Sequence, residues 1–133
     1  MTAVRHINPP ELHSSPAFSQ VVRVPAGADT IYVGGQNGVA PDGTVVGAGM
    51  AEQSRQALAN LRTCLEAAGA AVTDVVKWTI FYVEGAEVLA GLSAFGEFWP
   101  RDAAPPAITV VEVSDVGPPG ALLEIEAVAA VRS

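Results

Sequence analysis

The sequence predicts an α+β fold, a single mixed β-sheet with two helices packed on one face. Two observations carry most of this. Two segments with helical apolar spacing, 50–68 and 85–99, alternate with β-branched runs at 74–83, 107–113 and 121–131. The chain has 133 residues, enough for one core and too few for two comfortable ones. A single domain over 1–133 is expected, with 1–15 as an extended leader.

The elements follow in order. "AFSQVVRV" (17–24) alternates loosely and reads as a strand. "PAGADT" is a turn. "IYVGGQNGVA" (31–40) begins a second strand, and its Gly34-Gly35 pair signals close approach of a backbone or ligand. The tight turn "PDG" (41–43) leads into "TVVGAG", so 31–46 reads as a hairpin. In the helix 50–68, Leu58, Leu61, Leu65 and Ala68 form one apolar stripe, and Gly69 is a good stop. Cys64 lies beside that stripe and reads as a small packed residue. "DVVKWTIFYV" (74–83) is a strand. A second helix, 85–99, places Val88, Leu92, Phe95 and Trp99 on one face and ends at Pro100. "AITVVEV" (107–113) and "ALLEIEAVAAV" (121–131) are the last strands, giving the order β, β, β, α, β, α, β, β. With both helices on one side, the other face of the sheet is uncovered. Its partly apolar character marks a subunit interface.

Composition removes several function classes. Half of the residues are apolar and only 16% are charged, which favours an oligomer that buries surface. Net charge is −7, with seven Lys and Arg and no basic cluster, so nucleic acid and anionic membranes are poor partners. One cysteine rules out an internal disulfide. There is no signal-like apolar stretch at the start and no run of membrane-spanning length, so a cytoplasmic protein is expected.

Few residues carry chemistry. His6, His13 and Cys64 have no ligand spacing, so no metal is expected. "GGQNG" (34–38) lacks the Lys-Ser/Thr ending of a phosphate loop. Both histidines fall in the leader, which leaves a serine nucleophile without a base. Glu124 and Glu126 stand two apart on one strand face, with Leu122 and Val128. They read either as partners of Lys77, Arg101 or Arg132, or as members of a site.

Several segments together resemble the Rid family of reactive intermediate deaminases (YjgF/YER057c/UK114). They are "IYVGGQNGVAPDGTVVG", "QSRQALANLRTCLEAAGAAVTDVVKWTIFYV" and "ALLEIEAVAAV", within a match over about 16–131. The resemblance implies a chorismate-mutase-like fold and a homotrimer whose sheets form a central barrel. It implies small-molecule clefts at the subunit interfaces. It also implies cofactor-free hydrolysis of enamines and imines such as 2-aminoacrylate to keto acids and ammonia.

Carried over by position, the family's site is mostly altered. Its cleft Tyr falls on Phe18 and the Ser of its Ser-Gly-Gln motif on Gly34, while Gly35 and Gln36 are kept. Its helix Asn falls on Leu92, its substrate-binding Arg on Ile108, and the Cys or Thr two residues on falls on Val110. The catalytic Glu is kept as Glu124. Alternation puts Ile108, Val110 and Glu112 on one face, expected to be the cleft wall. Arg101 stands beside Asp102 at a helix end and reads as half of a solvated pair, not as a replacement for the lost Arg. Two functions follow. One is hydrolysis of a less polar enamine or imine, with Glu124 handling water and little activity on 2-aminoacrylate. The other is a non-catalytic trimeric ligand-binding or regulatory module. A ribonuclease is the weakest reading, given the acidity.

Overall fold

A computed structural model describes residues 3–132. Its elements are β1 (Arg5–Ile7), β2 (Val21–Arg23), β3 (Asp29–Gln36), α1 (Met50–Ala67), β4 (Val75–Val83), α2 (Val88–Phe98), β5 (Ala107–Val113) and β6 (Leu123–Val131). Four strands form a mixed sheet in the order β3-β6-β4-β5. The β3–β6 and β6–β4 pairs are antiparallel, and β4–β5 is parallel. The α+β class and the helices on one face are as the sequence predicts.

Alternation in β6 explains the layering. Leu123, Ile125, Ala127 and Ala129 are buried beneath the helices, whereas Glu126 is exposed and Glu124 half-buried on the other face. From α1, Leu58, Leu61 and Leu65 enter the same core, each contributing roughly 1.5–3 kcal/mol by burial. Cys64 packs at its margin, as expected. Ala68 does not join the stripe. It is the exposed C-cap, after which the Gly69 N–H donates to Glu66 O and the Ala70 N–H to Leu65 O. Gly69 has φ +82°, so the stop is a glycine in the left-handed region.

Helix α2 turns Gly91, Ala94 and Phe95 inward. The reason is close approach to α1: a Cβ added at Gly91 would lie 3.0 Å from Met50 Cε and 3.3 Å from Ser54 Oγ. Leu92 is thereby rotated to the edge and is 42% exposed, not a core residue. Farther along, the Arg62 guanidinium of α1 stacks over the Phe98 ring at 4.7 Å.

Three expectations need correction. The leader is not merely extended, because β1 pairs antiparallel with β2 in a separate ribbon. His6 Nδ1 lies 3.0 Å from both Ser19 Oγ and the Pro105 carbonyl, and Ser19 Oγ donates to that same carbonyl. A carbonyl only accepts, so His6 carries its proton on Nδ1. This anchor also shortens the 17–24 strand to Val21–Arg23 and removes it from the main sheet. Finally, 31–46 is not one hairpin. β3 pairs with β6, and 38–46 closes on itself through a single Val39–Val45 bridge.

Side-chain amides explain this last outcome. Asn37 Nδ2 donates to Leu123 O, and Asn60 Nδ2 donates to Asn37 O and Val39 O. Gln53, fully buried on α1, donates to Gly120 O and accepts from the Leu122 N–H. These bonds replace the ladder a hairpin would have supplied, and they fix both loops beside Glu124.

Candidate functional site

The candidate residues separate into two groups on opposite faces of the sheet. Glu124 is registered with Phe81, and Phe81 with Val111, on the face away from the helices. Ile108 is registered with Trp78 and Val110 with Ile80, whose side chains are buried beneath the helices. Ile108, Val110 and Glu112 do share a face, as alternation predicts, but it is not the face of Glu124. Within one chain the two do not meet.

The first group is built around Gly35. The β3–β6 register shifts between Val33 and Gln36, and this irregularity brings the glycine backbone against the carboxylate. A Cβ added at Gly35 would lie 2.6 Å from Glu124 Cδ and 2.7 Å from Oε2. Only glycine leaves the carboxylate room there. At Gly34 an added Cβ meets nothing within 4 Å, and Gln36 Nε2 turns back to Gly34 O at 3.2 Å. Beyond Glu124, with Phe81 and Glu126, an open groove of about 300 Å³ extends to Asp115 and Val116. A carboxylate resting on a glycine backbone at the head of such a groove can hold a water and take its proton. The alternative partner Lys77 is engaged elsewhere, donating to Thr109 Oγ1 at 2.5 Å. Among the described residues no group of His, Cys, Asp and Glu could hold a metal ion.

The second group lies between α2 and β5. Leu92 and Ile108 border a pocket of about 350 Å³ together with Trp78, Phe95, Trp99 and Arg101. Val110 borders a small gap next to it, also shared with Leu92. Phe18 is half-buried close by in sequence to Pro16 and Ala17, which cover the pocket, and packs edge-to-face on His13 with centroids 5.9 Å apart.

Sequence reasoning missed three members of this pocket. Trp78 received no site reading, Trp99 read only as part of the apolar face of the second helix, and Arg101 as half of a solvated pair. Among the described residues, no hydrogen bond or ion pair holds the Arg101 guanidinium, to Asp102 or otherwise. The signal available for Arg101 was Pro100, which ends α2 beside Trp99 and leaves Arg101 next in chain on the pocket lining. The Trp99 indole N–H donates to Ala103 O at 3.0 Å, whereas the Trp78 indole N–H is buried without an acceptor. A buried donor left so costs about 1–3 kcal/mol.

Comparison with known proteins agrees with this architecture. Residues 10–131 match the family described as endoribonuclease L-PSP. A 2-iminobutanoate/2-iminopropanoate deaminase of Rattus norvegicus is 40% identical over 119 residues, covering 85% of this chain and 79% of the relative. The crystal structure of a Rid-family protein of unknown function, YyfB from Yersinia pestis, is similar with a TM-score of 0.86 and 32% identity. That match covers 96% of this chain and 98% of the other. The YjgF gene product of E. coli matches with a TM-score of 0.71 and 36% identity, over 82% and 85% of the two chains. The chain belongs to the Rid family, the YjgF/YER057c/UK114 proteins that the endoribonuclease L-PSP description covers.

Proposed function

We propose that this protein is a cytoplasmic, homotrimeric, cofactor-free imine deaminase acting on a substrate less polar than 2-aminoacrylate. The supporting observation is Glu124, held against the Gly35 backbone at the head of an open groove. Water held by the carboxylate adds to the imine carbon. The C–N bond then breaks, ammonia leaves with the transferred proton, and a carbonyl remains. Relatives named 2-iminobutanoate/2-iminopropanoate deaminase support this reaction class.

The sheet order supports an interface site. Glu124 lies on β6 beside the edge strand β3, and Ile108 lies on the opposite edge strand β5. Joining copies edge to edge would bring the Glu124 side of one to the Ile108 side of the next. Phe18, Gly34, Gly35, Gln36, Leu92, Ile108 and Val110 would then line one shared cleft. With Ile108 in the anionic anchor's place, a small carboxylate there stays unpaired, at a penalty of roughly 3–5 kcal/mol.

The test is keto-acid and ammonia release from 2-iminobutyrate and from imines of bulkier apolar amino acids. The expected result is acceleration that grows with side-chain size and is lost in Glu124→Gln. No acceleration with any imine, or an unimpaired Glu124→Gln, favours the second reading, a non-catalytic ligand-binding or regulatory trimer. The hydrocarbon at Ile108 is what supports that reading.

A further inference from the structure

Both tryptophans of the chain border the same pocket. Trp78 packs edge-to-face on Phe95 and on Trp99, with centroids 5.3 and 5.5 Å apart and interplanar angles of 87° and 74°. The rings lock one another, so the pocket walls are formed before anything binds. Arg101 is the single charged residue on its lining, and no carboxylate faces it there. The guanidinium has no partner among the described residues. Apolar walls and one free cation together describe an amphipathic anion site.

We propose that this pocket binds a small carboxylic acid with an aromatic or branched apolar body. The body lies against Trp78, Phe95 and Trp99, and the carboxylate pairs with Arg101. Arg101 thus supplies, from the end of α2, the anionic anchor that Ile108 lacks. The site selects size, because a three-carbon acid would leave most of its about 350 Å³ empty. The inference deepens the proposed deaminase reading by naming its substrate class, the imino acids of apolar amino acids, but the binding itself does not depend on catalysis.

Tryptophan fluorescence reads the site directly. Titration with 3-phenylpropanoate should give a saturable change, and the neutral 3-phenylpropanamide should bind roughly tenfold more weakly. Arg101→Gln should erase that difference between acid and amide. Gly96 of α2 borders the pocket, and an added Cβ there meets no atom within 4 Å. Gly96→Leu should therefore fill the pocket and abolish both titrations without lowering the melting temperature. No saturable change, equal affinity for acid and amide, or an Arg101→Gln variant that still prefers the acid overturns the proposal. Measuring imine hydrolysis on the same preparation separates the two readings. Hydrolysis without 3-phenylpropanoate binding removes the pocket and leaves the deaminase, and binding without hydrolysis does the reverse.

Discussion

Gly35 and Glu124 act as one unit, since the glycine has no side chain where the carboxylate rests. In Gly35→Ala the new methyl must displace Glu124, the far end of a flexible side chain, so the fold tolerates it. We expect imine hydrolysis to fall at least tenfold in initial-rate assays, with the circular dichroism spectrum unchanged. An active Gly35→Ala would mean that the position of Glu124 does not matter to the reaction. A second residue-scale expectation concerns Asp42 in the 38–46 loop. The Thr44 hydroxyl donates to its carboxylate at 2.7 Å and the Thr44 N–H at 3.0 Å, and together they hold its pKa below the usual carboxylate range. A lowered folded-state pKa stabilises the loop above the unfolded value, and the effect fades as pH falls through the folded one. Thr44→Val removes the larger contribution, so an NMR titration should show the Asp42 pKa moving up.

At the scale of elements, α1 holds the site through polar side chains rather than through its leucine stripe. Gln53 is fully buried and bonds two groups of the segment leading into β6. Gln53→Leu keeps the volume but leaves Gly120 O and the Leu122 N–H unpaired, so unfolding by urea should show a loss of roughly 2–6 kcal/mol, about 1–3 for each group. A loss no larger than that of a surface substitution would show the loops to be held by other means. The same contrast marks what could be read in advance. The bounds of α1, β4 and β5 fall within a residue of the expected ones, because apolar periodicity is local and strong there. The 31–46 hairpin was not readable, because its outcome depends on Asn37 and Asn60 reaching across the fold. Leu92 left the core for an equally non-local reason, the tight contact of Gly91 with Met50 and Ser54. The opposite facing of Ile108 and Glu124 is set by two successive pairings through β4, and no window of sequence contains that register.

At the scale of the molecule, among the described residues, one face of the sheet lacks a covering layer, and the edge strands β3 and β5 are each unpaired on their outer side. The open face mixes Lys77, Thr79, Phe81, Val111 and Glu126 in register, with Tyr32 80% exposed on β3. Long unpaired edges beside partly apolar faces invite association, and a chain with only 16% charged residues has little to oppose it. Closed cyclic assembly satisfies both edges at once and leaves none free. Light scattering on the purified protein should therefore give three times the monomer mass at micromolar concentration. Val111, 37% exposed, lies on the open face of the edge strand β5, in register with Phe81. Val111→Lys should shift the mass to that of a monomer while the circular dichroism spectrum is retained. The proposed two-sided cleft carries a further consequence. A monomeric Val111→Lys variant should lose imine hydrolysis yet still bind 3-phenylpropanoate, since every residue of the Arg101 pocket comes from one chain. A monomer as active as the parent would place the reacting groups within a single copy, which the opposite facing of Glu124 and Ile108 argues against.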